Sequence, residues 1–200
     1  MFMSTHPWFP IPVYTEKAVG KQYEDIQKEL SDVYNNLEFR QNPDWTNDTH
    51  DLSVGKSGKI FEDCILTQYK CEKMMKFIDK SIRLYLDEIQ CVEPRNYIIL
   101  ESWLTRTTKN KHAYLHDHVG DISGVYYFKT NGKDGNIFFP SPLRMLSSNY
   151  IIRQVCSFQS SIHLEQGVIG LWPSMLMHNT EPNPTDNHRI SVSFNIKFVV

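Results

Sequence analysis

His116-Asp117-His118, Ser123-Gly124-Val125-Tyr126-Tyr127, Pro173-Ser174-Met175-Leu176-Met177-His178 and Arg189-Ile190-Ser191 mark out the second half of this chain. The last of them opens the run Arg189 to Phe198, which alternates with period two. Ile190, Val192, Phe194 and Ile196 fall on one face of an extended strand, and Arg189, Ser191, Ser193 and Asn195 on the other. A polar strand face ordinarily meets solvent. With His178 just upstream, the pattern instead predicts a barrel-like fold in which the polar face lines a pocket and the apolar face lies under helices.

Residues i and i+2 of a strand project to the same side, so His116 and His118 can approach one ion while Asp117 points away. His178 supplies a third imidazole from a distant segment. Three ligands on one face of an octahedral ion leave three positions for a chelating co-substrate and dioxygen. Imidazole suits Fe, Zn, Cu and Ni alike, so the ligand type does not choose the metal. Arg189 narrows the choice: a guanidinium forks onto a carboxylate through two parallel hydrogen bonds, and Ser191 can add a third from the same face. His6, His112, His163 and His188 have no comparable support and read as surface residues, and His50 as a solvated loop residue.

These residues resemble those of the Fe(II)- and 2-oxoglutarate-dependent oxygenases, more closely the members from marine T4-like phages (cyanophages) and bacteria. There a His-x-His-x-x-x-x-Ser-Gly-Val-Tyr-Tyr stretch precedes a Phe-Pro-Ser-x-Leu-x-His stretch and an Arg-Ile-Ser-x-x-Phe-Asn ending. The corresponding residues here are His116 to Tyr127, Trp172 to His178 and Arg189 to Asn195. The resemblance is good from about residue 95 to 198 and loose before it. It implies a double-stranded β-helix (jelly-roll, cupin-like), Fe(II), 2-oxoglutarate as co-substrate and O2 as oxidant. The implied reaction is hydroxylation of a peptide, nucleobase or small molecule, coupled to decarboxylation of 2-oxoglutarate to succinate. His116, His118 and His178 would hold the metal, and Arg189 with Ser191 the far carboxylate of the co-substrate. Either Tyr126 or Tyr127 would hydrogen-bond the co-substrate. A phage origin would place the protein in the host cytoplasm.

One departure concerns the metal pair, because most members of that superfamily carry His-x-Asp or His-x-Glu. Here the second position is His118. Three histidines are expected; a local bulge would instead admit Asp117 or Asp121 as the third ligand. Two readings outside the resemblance remain: a non-catalytic cupin-like metal-binding module, and a three-His Zn or Fe enzyme that does not use 2-oxoglutarate. Arg189-x-Ser191 favours the oxygenase over both.

A chain of 200 residues is long enough for one domain with a sizeable core, and residues 1–94 read as an arm and supporting helices before a β core over 95–200. A net charge of −2 gives no nucleic-acid footprint. Nowhere is there an apolar run long enough to span a membrane, nor a charged start followed by an apolar core of signal-peptide length. Cys64, Cys71, Cys91 and Cys156 form no Cys-x-x-Cys pair and read as reduced thiols in a cytoplasm. Oligomeric state is not legible.

Pro7, Pro10 and Pro12 predict an extended arm or edge strand over Met1 to Val13. Val19, Tyr23, Ile26, Leu30, Val33 and Leu37 predict an amphipathic helix from Glu16 to Phe39, with Thr15 as its N-cap. Residues 41–59 read as a long loop, and a second helix is expected from Cys64 to Ile89. The fold class is α+β, mainly β, with the two helices on one sheet. Strands are expected at Tyr97–Thr105, Tyr114–His118, Ser123–Thr130, Asn136–Phe139, Tyr150–Phe158, Ser160–Leu164 and Val168–Trp172, before the last strand. Loops 41–59 and 131–149 are the expected rims of a substrate site.

Overall fold

The computed structural model describes residues 11–61, 64–91, 96–143, 148–151, 159–163 and 165–199. Its elements are β1 (Tyr14–Lys17), α1 (Gly20–Tyr34), β2 (Glu38–Gln41), β3 (Asp51–Val54), α2 (Ile65–Gln68), α3 (Glu72–Glu88) and β4 (Tyr97–Thr107). They continue with β5 (Ile122–Lys129), β6 (Ile137–Pro140), β7 (Gln159–Ile162), β8 (Val168–Pro173), β9 (Asn179–Thr180) and β10 (Arg189–Phe198). A large antiparallel sheet runs in the order β1-β8-β5-β10-β4-β3-β2, and a small one in the order β7-β6-β9. Val125 and Tyr127 of β5, Trp172 of β8, and Ile137 and Phe139 of β6 form one buried cluster, so the two sheets face each other. This is the jelly-roll winding of a double-stranded β-helix.

β10 lies inside the large sheet, paired with β4 on one side and β5 on the other. Its apolar face, Ile190, Val192, Phe194 and Ile196, is fully buried against the larger core cluster. That cluster also takes Ile26, Leu30 and Val33 from α1 and Met74, Phe77, Ile78 and Ile82 from α3. The helical stripes thus fill the space over the sheet, as period-3.6 apolar positions must. Gly124 on β5 lets the Phe194 ring lie flat in this layer, since a Cβ there would stand 2.2 Å from Phe194 Cζ and 2.8 Å from Leu171 Cδ2.

The elements depart from the sequence reading where tertiary partners intervene. The first helix starts only at Gly20, because Tyr14–Lys17 pairs with β8 as an edge strand, so Thr15 faces a sheet partner and caps nothing. At the other end Glu38–Gln41 leaves the helix to form β2. The second helix is broken into α2 and α3 at Lys70, which adopts φ 53°. The free N–H groups at the start of α3 are met by Glu29 of α1, whose carboxylate accepts from Lys73 N (3.0 Å) and Met74 N (2.9 Å). Of the N-terminal arm only Ile11 to Val13 fall within the described residues; there the Pro12 carbonyl accepts from the Tyr85 hydroxyl at 3.0 Å. Tyr150 and Ile151 are helical rather than extended; the remainder of that expected strand, with Cys156, lies outside the described residues, as does Leu164 at the end of the next one. Cys64 and Cys71 are free thiols, and burial pushes the Cys71 thiol up to about 12. No described helix is long and apolar enough to cross a membrane.

The expected loop 41–59 contains β3, which extends the large sheet beyond β4. Its regular pairing covers only Asp51 and Leu52, after which the Ser53 hydroxyl accepts the Leu104 N–H at 2.9 Å. The side chain thereby satisfies a donor that a longer strand would have satisfied with its backbone. Just ahead of β3, His50 is buried rather than solvated, at 8% exposure. Its N–H and its ring Nδ1 both reach the His112 carbonyl, each at 3.1 Å, and Trp45 packs edge-on against the ring.

Two outcomes are expected. Gly124→Ala forces a methyl into a layer where Phe194 has no room to move and should lower stability by roughly 1 to 3 kcal/mol in denaturant unfolding, with no loss if the ring can shift. Burial lowers the His50 pKa from 6.5 to about 4. The unfolded chain therefore takes up a proton that the folded chain refuses, and stability falls as pH drops from 6.5 towards 4. In the metal-free protein, His50→Asn should shallow this slope by as much as ~3 kcal/mol across the window, read from urea unfolding at several pH values. An unchanged slope would show that the ring protonates freely in the folded state.

Candidate metal centre and carboxylate clamp

The segment from Tyr114 to His118 was expected to be a strand; it is irregular and makes a single bridge, His116 to His178. What fixes it is a reciprocal pair of backbone bonds, His116 N–H to His178 carbonyl (3.0 Å) and His178 N–H to His116 carbonyl (2.9 Å). Two residues on, the His118 N–H donates to the Ser174 carbonyl at 3.0 Å. Alternate N–H groups are thus tied to the one segment 174–178, and the side chains of His116 and His118 emerge on one side without a regular ladder. The ring centroids of His116, His118 and His178 lie 4.3, 4.8 and 5.2 Å apart.

Each of these rings offers one ligand atom, and the three atoms lie within 4.8 Å of one another. An ion with metal–nitrogen bonds near 2.1 Å and right-angled ligands wants separations of about 3 Å, and His116 and His118 are only partly buried. The donor ends are prearranged as well. His116 Nδ1 lies 2.6 Å from the Tyr114 carbonyl and His178 Nδ1 lies 2.9 Å from the Leu176 carbonyl. A carbonyl only accepts, so both Nδ1 atoms carry the proton and both Nε2 lone pairs are free for a metal. Burial lowers all three pKa values, that of His118 to about 4 and that of His178 to about 3. The rings are neutral near pH 7, which is the state that coordinates. The set fits a divalent ion.

Neither carboxylate alternative belongs to this group of ligand atoms. Asp117 is exposed at the cavity edge. Asp121 accepts the Phe198 N–H at 2.7 Å and so fastens the end of β10.

The histidines open on a cavity of about 620 Å³ that reaches along the polar face of β10 to Arg189. Sheet register sets its floor in rungs: Thr107 beside Arg189, then Thr105, Ser191 and Tyr127, then Trp103, Ser193 and Val125, then Glu101, Asn195, Ser123 and Trp172. Arg189 is 3% exposed. Its Nη1 donates to the carbonyls of Asp134 (2.6 Å) and Gly135 (3.0 Å), which hold the guanidinium from behind. Its Nη2 meets only the hydroxyls of Thr180 (3.2 Å) and Thr107 (3.4 Å), long contacts that a carboxylate would replace with shorter, charge-assisted ones. Gly135, at φ 97°, is needed for this grip, because a Cβ there would stand 2.8 Å from the Glu181 carbonyl and 3.0 Å from Arg189 Nη1.

Parity separates the two tyrosines. Tyr127 lines the cavity near the guanidinium, and burial raises its pKa while the charge of Arg189 opposes the rise. Tyr126 points the other way, into the helix layer, where its hydroxyl accepts from Gln27 Nε2 at 3.1 Å and its ring meets Phe77 edge-on. Of the histidines read as surface, His163 and His188 are exposed, and His6 lies outside the described residues. His112 is half-buried against Tyr114, its Nδ1 without a partner. Several lining residues escaped the sequence reading: Trp45, His50, Phe61, Glu101, Trp103 and Trp172. Trp172 packs edge-on against His178, and its Nε1 is buried without a hydrogen-bond partner. The sequence signal for it was only its place in the Trp172 to His178 stretch.

Residues 101–195 match the family model described as "Putative 2OG-Fe(II) oxygenase". No curated protein sequence matches the chain. Among solved structures, HygX from Streptomyces hygroscopicus with nickel, 2-oxoglutarate and hygromycin B is similar at 14% identity and TM-score 0.61, over 94% of this chain and 84% of that one. A Pseudomonas putida prolyl-4-hydroxylase is similar at 10% identity and TM-score 0.59, over 95% and 94%. The viral collagen prolyl hydroxylase of Paramecium Bursaria Chlorella virus-1, as its 2OG complex, gives 13% and 0.56, over 94% and 96%. The chain thus has the double-stranded β-helix fold of the 2OG-Fe(II) oxygenases, and its residues 101–195, which carry His116, His118, His178 and Arg189, are similar to that family in sequence.

Proposed function

We propose that this protein is an Fe(II)- and 2-oxoglutarate-dependent dioxygenase that hydroxylates its substrate, with His116, His118 and His178 as the iron ligands. The observation that carries the reading is one cavity with three neutral imidazoles at one part of its wall and a buried, backbone-held guanidinium at another. When bound, iron, 2-oxoglutarate and O2 supply the oxidation, in which the co-substrate becomes succinate and CO2 and one oxygen atom enters a substrate C–H bond.

The chain's own residues do the positioning. Arg189 takes the far carboxylate of 2-oxoglutarate through its Nη2 edge, with hydroxyls of Thr107, Thr180 and Ser191 around it. Tyr127, not Tyr126, is placed to add a hydrogen bond, since only it faces the cavity. The carbonyls of Asp134 and Gly135 keep the guanidinium from following its ligand, so the co-substrate is held at a fixed distance from the histidines. Phe139 and Trp172 wall off His178 from water. A zinc module with three histidines needs no buried Arg189 and no second anchor, which is why the oxygenase is preferred. HygX with nickel and 2-oxoglutarate bound, and the viral hydroxylase as its 2OG complex, support the same choice. The free thiols of Cys64 and Cys71 suit a reducing, cytoplasmic setting, that of the host if the phage resemblance reflects origin.

Two experiments test this. Dialysed protein should retain one Fe(II) or a surrogate ion by elemental analysis; His178→Ala and His118→Ala should lose it and Asp117→Ala should keep it. Loss in Asp117→Ala with retention in His118→Ala would make a carboxylate the third ligand. Under anaerobic conditions, adding 2-oxoglutarate to the Fe(II) protein should produce a weak visible charge-transfer band. Titrating that band, Arg189→Met should weaken 2-oxoglutarate by roughly 30-fold to 1000-fold, the loss of a desolvated charge-assisted pair. Unchanged affinity would put the clamp elsewhere.

A further inference from the structure

The cavity is larger than the path from the histidines to Arg189, and its remaining wall has a distinct chemistry. Trp45, Phe61 and Trp103 form a continuous aromatic shelf: Trp45 and Phe61 are 6.1 Å apart, and Phe61 meets Trp103 edge-on at 5.2 Å. Trp103 in turn lies 5.6 Å from the His118 ring, so the shelf ends at the metal ligands. Phe61 holds a left-handed backbone, φ 63°, that bulky side chains rarely adopt. Such strain persists only where its surroundings enforce it and gathers at ligand sites. Its ring is fixed in the mouth between the two tryptophans while remaining 37% exposed.

Beneath the shelf, Glu101 shares the inward face of β4 with Trp103, two residues and about 7 Å along the strand. Its carboxylate is held by a chain of polar groups. Asn195 Nδ2 donates to Glu101 Oε1 at 2.6 Å, and Asn195 Oδ1 accepts from the Ser123 hydroxyl at 2.6 Å. The Ser174 hydroxyl lies 3.0 Å from that of Ser123. Because the carboxylate can only accept, this chain fixes the amide orientation of Asn195 and leaves Glu101 Oε2 free for a donor. No ion-pair partner reaches Glu101 from the described residues.

Charge decides what that donor is. Among the described lining residues the ionised side chains are Glu101, Asp117 and Arg189. The far carboxylate of the co-substrate would neutralise Arg189, and its other carboxylate would cancel one of the two charges of an Fe(II) held by neutral histidines. The mouth is then left with two carboxylates, neutral histidines and three aromatic rings. A positive group gains from both the carboxylates and the ring faces, whereas an anion is repelled by both carboxylates. A neutral group would gain packing alone.

We propose that this lobe is the substrate site and that it takes a small molecule bearing an ammonium group, held between Glu101 and the Trp45–Phe61–Trp103 shelf. The inference rests on the oxygenase reading. The ammonium seated there turns the neighbouring carbons towards the three histidines, so hydroxylation falls on a C–H bond close to the amine. The cavity volume, about 620 Å³, suits a small ligand beside 2-oxoglutarate.

The test uses the full chain with Fe(II) and 2-oxoglutarate under anaerobic conditions and measures binding of n-butylammonium, n-butanol and butyrate by calorimetry. N-butylammonium should bind at least roughly tenfold tighter than n-butanol, and butyrate weakest. Glu101→Gln should abolish the preference for the cation over n-butanol, while a thermal melt verifies that the variant is folded. Phe61→Leu, on the exposed rim, should weaken n-butylammonium several-fold and gives a second check if the Glu101 variant is unstable. Equal binding of n-butanol and n-butylammonium, or a preference that survives in Glu101→Gln, overturns the proposal. The charge-transfer band of the same wild-type sample reports separately on the oxygenase reading, so a missing band with an intact cation preference would sink that reading and leave the site.

Discussion

The structure depends on the two-sided character of β10. A strand paired on both sides cannot rotate about its axis, so its period of two becomes a partition of space: Ile190, Val192, Phe194 and Ile196 face the helices, and Arg189, Ser191, Ser193 and Asn195 face the cavity. A slip of one residue would put the guanidinium into the apolar layer and Phe194 into the cavity. Burying an unpaired charge that way would outweigh any regained ladder bonds. Register is therefore enforced by both faces at once, with Gly124 shaped to the ring of Phe194 on one side and Gly135 to the guanidinium on the other.

The histidine cluster is assembled by a different means. It belongs to no long strand, and its geometry comes from a few backbone bonds that join 116–118 to 174–178. Backbone carbonyls at Tyr114 and Leu176 then set the proton on Nδ1, and burial keeps the rings neutral. Folding therefore brings together imidazoles in the tautomer and charge state that coordination of a metal would need.

Electrostatics divides the cavity between its two ends. The positive end is rigid, since Arg189 is gripped by carbonyls of the 134–135 turn, itself organised by the buried Asp134 carboxylate, which accepts from Thr130, Asn131 and Asn187. The negative end is more open, with Glu101 tethered by Asn195 and flanked by aromatic rings from three separate segments. One barrel interior thus holds a rigid positive end and a wider lobe of opposite charge.

By itself the sequence determined the helical and β halves and the apolar and polar faces of β10, because period-two and period-3.6 patterns survive in any single stretch of chain, and the histidines and arginine that converge on the cavity were legible through their resemblance to a known family's motifs. Only tertiary structure decided the rest. Residues 14–17 and 38–41 became strands because sheet edges were available to pair with, and Lys70 split the second helix where α3 met Glu29. The irregular 112–118 segment put its histidines on one side through contacts with 174–178, which no local pattern encodes. Adjacent in sequence, Tyr126 and Tyr127 were separated by which sheet face met the helices. Trp45, His50, Phe61 and Glu101 joined the site from segments that carried no motif, because a cavity wall is defined by distance in space and the chain records only distance along itself.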